Sequence, residues 1–177
     1  MIATPEPVDQ FRLRQIHDLV VEFAQELRNV SQGLQREVDE SINIIKQIDI
    51  DIARINRSGV IKASLEIVGD QRELSGQTSL ILYRVIQEAL NNALKHSQAD
   101  LIRITMNYGQ KDLDVQIKDN GVGFDVKSAL EKSHMTMGLQ NIKSRSKLLD
   151  ATFGLESEFG KGSVIDIRIP LTDNHTD

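Results

Sequence analysis

The chain has no cysteine, no tryptophan and three prolines, and aromatic residues make up 4% of its 177 positions. Without thiols there is no disulfide, no zinc-thiolate centre and no thiol nucleophile, and nothing calls for an oxidising compartment. A cytoplasmic setting is therefore expected. Long hydrophobic runs are missing as well. None approaches the roughly 20 apolar residues that cross a bilayer, and Met1–Gln10 lacks the apolar centre of a secretory signal. No membrane segment is expected within these residues, and the cytoplasmic part of a larger membrane-linked protein stands as an alternative to a free cytoplasmic one. Blocks of positive charge are absent too: 21 Lys and Arg stand against 26 Asp and Glu, a net charge of −5 that is well mixed along the chain. Neither nucleic acid nor an anionic membrane surface is an expected partner.

The remaining composition, 40% hydrophobic and 27% charged, suits one globular domain with a real core and an appendage. Met1–Gln10, with Pro5 and Pro7, reads as a disordered leader. From Phe11 a heptad-like stripe runs through Ile16, Val20, Phe23, Leu27, Val30 and Leu34, and resumes after Gly33 as Val38, Ile42, Ile45, Ile48, Ile52 and Ile55. Residues 11–57 therefore form either one long helix or a pair broken near Gly33. The stripe can pack on the main core, on a second copy or on both, so a homodimer is among the expectations. Asn56-Arg57-Ser58-Gly59 is turn chemistry with Gly at the C′ position.

Residues 58–171 then alternate regimes. Period-2 patterns predict strands at Lys62–Val68, Leu101–Tyr108, Asp112–Lys118, Thr152–Glu158 and Ser163–Ile169, and Gly109-Gln110-Lys111 predicts a hairpin between the second and third. Helical periods predict helices over Tyr83–Ser97 and Leu139–Leu149. The expected fold class is α+β: a two-layer sandwich, an open mixed sheet covered on one face by helices and preceded by an N-terminal helical segment. Residues 172–177 read as a frayed tail.

The helix Tyr83–Ser97 has two faces. Leu82, Val85, Ile86, Ala89, Leu90, Ala93 and Leu94 form an apolar arc, and Arg84, Glu88, Asn91, Asn92 and Lys95 gather opposite. Glu88, Asn92 and Lys95 follow at i, i+4 and i+7. A carboxylate, an amide oxygen and an ammonium in line suit hydrated Mg²⁺ bridged to phosphates; a solvated helix face is the plainer alternative. Three glycine-bearing segments follow. In Asp119-Asn120-Gly121-Val122-Gly123-Phe124 a carboxylate at a strand end could accept from an exocyclic amine, although DNG is also strong turn chemistry. Met137-Gly138-Leu139 stands just before a helix, where free N–H groups favour an anion, or is an ordinary cap. Gly160-Lys161-Gly162-Ser163 could set a hydroxyl beside a bound base, or is a common hairpin turn.

In this order and spacing the segments resemble the histidine-kinase catalytic domain, whose Bergerat-type (GHKL) ATP fold also occurs in gyrase, heat-shock 90 and mismatch-repair ATPases. The subfamily paired with helix-turn-helix response regulators is the nearest. Gln87-Glu88-Ala89-Leu90-Asn91-Asn92-Ala93-Leu94-Lys95-His96-Ser97 looks like its N box, Asp119–Phe124 like its DNGxGF, Gly138 and Leu139 with Asn141, Ile142 and Arg145 like its GLxNIxxR, and Gly160–Ser163 like its GxGT. The resemblance covers about Leu82–Pro170 and extends loosely to Glu26-Leu27-Arg28-Asn29. It implies ATP and Mg²⁺ as ligands. Asn92 would hold the metal, Lys95 the phosphates, and Glu88 would be the acidic member at the metal or proton-transfer site. Asp119 would read adenine, with Gly121, Gly123 and Phe124 completing that box, and Gly138, Leu139, Gly162 and Ser163 would line the nucleotide. It further implies a response regulator and a phosphoacceptor helix, on the same or a neighbouring chain, as partners. Two positions depart: Met137 stands where the family often has a lid glycine, and Ser163 where it has Thr.

His17-Asp18 superficially resembles a phosphorylated His followed by its general base. His17 precedes Glu26 by only 9 residues, however, which sets it on the same helix as the ELRN-like segment and not a helix and a half upstream. The phosphoacceptor is expected outside these 177 residues, and His17, His96, His134 and His175 are not taken as sites. Two alternatives stand beside the kinase reading: a serine-kinase anti-sigma-type regulator, and a dimeric interaction module with a vestigial nucleotide site.

Overall fold

The computed structural model describes residues 43–131 and 136–171. The expectations for the leader, the stripe up to Ile42, His17, Glu26–Asn29, His134 and the tail with His175 fall outside the described residues.

The first helix among the described residues, α1 (Ile44–Arg57), starts where Asn43 Oδ1 accepts from the Lys46 N–H at 3.0 Å, and ends where Gly59 takes φ +70°. Its buried residues, Ile44, Ile48, Ile52 and Ile55, make a single stripe, and it joins the hydrophobic core of the sheet domain. The elements that follow are β1 (Lys62–Gly69), α2 (Gly76–Asn92), a π-helical turn (Ala93–Ser97), β2 (Leu101–Tyr108), β3 (Asp112–Asp119), α3 (Val126–Glu131), α4 (Thr136–Leu148), β4 (Thr152–Glu158) and β5 (Gly162–Pro170). Each of the five predicted strands is present to within one residue at either end.

The sheet runs β1-β2-β3-β5-β4. Only β1 and β2 are parallel, and α2 supplies the crossover that parallel neighbours need. Period-2 burial gives the sheet its two faces: Ile102, Ile104, Met106 and Tyr108 on β2, Leu113, Val115 and Ile117 on β3, and Ile165, Ile167 and Ile169 on β5 point into the core, while Arg103, Gln116 and Lys118 are exposed. Leu82, Val85, Ile86, Ala89 and Leu90 of α2, with Leu139 and Ile142 of α4, cover that inner face. The α+β two-layer architecture is the one the sequence implied.

Three details depart from the sequence reading. Gly138, expected just before a helix, lies in the first turn of α4, which begins at Thr136. The α-helical period of Tyr83–Ser97 gives way at Ala93, whose N–H points at both Ala89 O and Leu90 O, and the last five residues are π-helical, with Gln98 left-handed at φ 55° behind them. The polar stretch after Phe124 also contains the one-and-a-half-turn helix α3. Asp125 caps it, accepting from the N–H groups of Lys127 and Ser128 and from the Ser128 hydroxyl, which holds the Asp125 carboxyl below its usual range.

The outer edge of β1 is closed by α1 itself. Asn56 Nδ2 donates to Ala63 O at 3.0 Å and Asn56 Oδ1 accepts from Ala63 N at 2.7 Å, so a side-chain amide continues the ladder where no strand does. Asn56→Ala removes two hydrogen bonds of ordinary strength while water can still reach the edge, and the expected loss is about 1–2 kcal/mol by urea denaturation. A loss below about 0.3 kcal/mol would mean the clamp contributes nothing net.

Candidate functional site

Strand parity places the central carboxylate. Leu113, Val115 and Ile117 alternate inward, so Asp119, two residues on, faces the helix layer from the last rung of β3, and it is 5% exposed. Its cross-strand partner on β5 is Ser163, and the next residue across, on β4, is Ser157. The apolar rows thus end in a polar rung. Asp119 Oδ1 accepts from the Gly121 N–H at 2.8 Å, and Asp119 Oδ2 accepts a short hydrogen bond from the Ser163 hydroxyl. A buried acid held by two donors has a fixed orientation and further lone pairs to offer.

The glycines around it are there for clearance. At Gly121 a Cβ would run into the carbonyl of Ser97, and the neighbouring Val122 N–H donates to that same Ser97 O at 2.7 Å. Gly123, at φ +61°, would put a Cβ into the Glu158 carbonyl. The loop after β3 is therefore wedged between the end of the π-helical turn and the β4–β5 hairpin. Ser157 ties the parts together: its hydroxyl accepts from the Phe124 N–H at 2.9 Å and donates to Gly162 O at 2.8 Å. Phe124 is half-buried against the core. Asn120, the middle residue of the DNG motif, ties the loop to the start of β2: its Oδ1 accepts from the N–H groups of Asp100 and Leu101, and its Nδ2 donates to Asp100 Oδ1 at 2.6 Å.

A second cluster lies on α2. A Cβ on Gly138, near the start of α4, would stand 2.5 Å from Glu88 Oε1, 3.1 Å from Asn92 Oδ1 and 3.2 Å from Asn92 Nδ2. Glu88, Asn92 and the helix start thus converge on one spot. Asn92 Nδ2 is the buried side-chain nitrogen without a hydrogen-bond partner among the described residues. A buried unpaired donor beside a carboxylate and a helix N-terminus is costly by itself and fits an oxygen-rich anionic ligand accompanied by a cation.

Of the residues predicted from sequence, the structure gathers Asp119, Gly121, Gly123, Phe124, Gly162 and Ser163 at the polar rung, and Glu88, Asn92 and Gly138 at the second cluster. Lys95 stands exposed in the π-helical turn, and Leu139 is buried in the core. Lys161 of the hairpin pairs with Glu158 at 2.8 Å, and both are exposed. Ser157 and the carbonyl of Ser97 were not read from the sequence. Nothing local marks either residue, since their roles arise from strand register and from the π-helical turn. Also unread is a chain of bonds behind α2: Tyr83 OH donates to Asp51 Oδ2 at 2.8 Å, Gln87 Nε2 donates to Tyr83 OH at 2.7 Å, and Arg84 donates to Gln87 Oε1 at 2.8 Å. Burial, reinforced by the Asp51 carboxylate that takes its proton's hydrogen bond, pushes the Tyr83 phenol up to about 12.

Residues 77–173 match the family described as histidine kinase-, DNA gyrase B- and HSP90-like ATPase. The signal transduction histidine-protein kinase/phosphatase DegS of Bacillus subtilis is 39% identical over 118 residues, covering 65% of this chain and 30% of DegS. The sensor histidine kinase ComP of the same organism is 38% identical over 129 residues, covering 64% of this chain and 17% of ComP. The chain thus spans less than a third of the length of either relative. Among solved structures, the blue-light activated histidine kinase of Erythrobacter litoralis EL346 superposes with a TM-score of 0.65 at 19% identity, over 90% of this chain and 51% of that one.

Proposed function

The chain belongs to the histidine kinase-, DNA gyrase B- and HSP90-like ATPase family, and from that premise we propose that it is the catalytic part of a two-component sensor kinase, which binds Mg-ATP and passes the γ-phosphoryl group to a histidine. The observation that carries this is the pair of clusters: a buried carboxylate fixed at a sheet end by Gly121 and Ser163, and an Asn92 side chain beside Glu88 at a helix start, its Nδ2 without a partner among the described residues. Asp119 takes the hydrogen bond of an adenine exocyclic amine, with Gly121, Gly123 and Gly162 leaving room for the ring and Ser163 orienting the acid. Asn92, through its Oδ1, and Glu88 would hold Mg²⁺, which would supply charge neutralisation on the phosphates. The Gly138 helix start and Lys95 meet the phosphate oxygens. Phosphoryl transfer of this kind is largely positioning and electrostatics, so the domain's task is to present the γ-phosphate, not to supply a nucleophile. The acceptor histidine lies on a phosphoacceptor helix of the same or a neighbouring chain, a response regulator receives the group, and the setting is cytoplasmic; among the described residues no helix is long and apolar enough to cross a membrane.

Calorimetric titration is the test. Mg-ATP binds with a dissociation constant in the range of roughly 1 μM to 1 mM that is common for enzyme substrates, and chelating the metal weakens it. Absence of heat at millimolar nucleotide would overturn the assignment, and acid-stable label transferred from ATP to a protein serine would replace the histidine-kinase reading with a serine-kinase one.

A further inference from the structure

α1 is bonded to the site-bearing helix by polar groups as well as by its isoleucines. Asp51 has 13% of its side-chain surface exposed, and Tyr83, at 8%, is buried. The Tyr83 hydroxyl is saturated, donating to Asp51 on α1 and accepting from Gln87 on α2. Gln87 is the residue before Glu88, and Asn92 is five residues further along the same helix. On the opposite side of α1, Asn56 fixes the helix to the β1 edge. We propose that Asp51, Tyr83 and Gln87 form a relay through which the seating of α1 and the occupancy of the nucleotide site bias each other.

The physical case is that this link is made or broken as a unit. The phenol is buried and the carboxylate half-buried; the phenol also accepts from Gln87 and the carboxylate also meets Arg54 at 3.5 Å, so separating the pair breaks the bond between the two helices while each group keeps its partner on its own helix. Local opening of α1 from this seat breaks the Tyr83–Asp51 bond, and hydrogen exchange of the α1 amides samples that opening. A nucleotide held by Asn92 and Glu88 restrains α2, and the seated arrangement is the one whose geometry requires α2 in place. Linkage makes the effect reciprocal, so whatever shifts α1 changes nucleotide affinity by the same factor. Tyr83 and Asp51 are accordingly positioning residues, and neither touches the ligand. The proposal rests on nucleotide binding at the Asp119 and Asn92 clusters.

Hydrogen exchange on the full chain, with and without Mg-ATP, tests it. In the unaltered protein, nucleotide is expected to slow exchange in residues 119–124 and also in the amides of α1, the latter by on the order of fivefold. In Tyr83→Phe and in Asp51→Ala the protection of 119–124 persists while that of α1 is lost, and in Asp51→Asn, which keeps an acceptor for the phenol, it returns. The two deletions break the same bond from opposite sides, so one suffices if the other fails to fold. Protection of α1 that survives both, or protection of 119–124 without any in α1 of the unaltered protein, overturns the relay alone. No protection anywhere overturns the nucleotide assignment and the relay with it.

Discussion

Asp119→Asn is expected to weaken ATP binding about a hundredfold or more and to leave stability nearly unchanged. The substitution is isosteric, and each existing bond survives it: Oδ1 still accepts from the Gly121 N–H, and the Ser163 hydroxyl, which now donates to Oδ2, can turn and accept from the new amide. What the variant loses is the acceptor offered to a ligand. An exocyclic amine that met a carboxylate now meets an N–H donor, and replacing a charge-assisted hydrogen bond by a donor facing a donor costs about 3 kcal/mol, which is about a hundredfold. The same reasoning gives a readout that general damage does not: a purine triphosphate with a 6-oxo group in place of the amine presents an acceptor, so its affinity relative to ATP rises in the variant. Calorimetric titration of both nucleotides, with thermal unfolding as the control, distinguishes the outcomes. Unchanged ATP affinity would show that Asp119 does not read the base, and a fall in Tm of more than a few degrees would show that it is chiefly a structural acid.

How much of this was legible beforehand depends on the range over which each signal acts. Strand ends are local, and alternation with flanking Gly, Pro and Asp set all five to within a residue. Asp119 was legible for the same reason, because period-2 counting from Leu113 carries it to the inner face and DNG marks the strand end. Its partner was not: Ser163 lies 44 residues away, and only inter-strand register brings the two opposite one another. Ser157 is hidden likewise. The stripe on α1 was legible at Ile48, Ile52 and Ile55 but off by one at its start, where Ile44 is buried and Ile45 half-buried, and a stripe says how wide the buried face is and not what it faces; the structure turns Ile44, Ile48, Ile52 and Ile55 onto the sheet domain's core. α3, six residues long, is shorter than two helical periods and leaves no pattern to count. The π-helical turn is a response to context. Its wider winding brings the carbonyl of Ser97 to Gly121 and Val122, a contact encoded by neither segment alone.

The glycine of the β4–β5 hairpin that governs the polar rung can be isolated by comparison with its neighbour. Gly160 and Gly162 both have left-handed backbones, φ +78° and +81°. A Cβ on Gly160 meets nothing within 4 Å, whereas one on Gly162 would run into the Asp119 carbonyl oxygen and stand 2.8 Å from Asp119 C and 3.0 Å from Asn120 Cα. Gly160→Ala therefore carries only the conformational term, about 1 kcal/mol. Gly162→Ala carries that term and the displacement of backbone from a well-packed rung, a further 1–3 kcal/mol or so, for a total of about 2–4 kcal/mol against the 5–15 kcal/mol that holds a domain folded. The obstruction lies on the main chain of Asp119 itself, so relaxing it means opening β3 from β5 where Ser163 fixes the carboxylate. Gly162→Ala is thus expected to lower Tm by roughly 5–20 °C and to lose nucleotide binding even at temperatures where it stays folded, while Gly160→Ala keeps it. Equal losses of stability in the two variants would show that the left-handed backbone, and not the clearance over Asp119, is what the hairpin requires of its glycines.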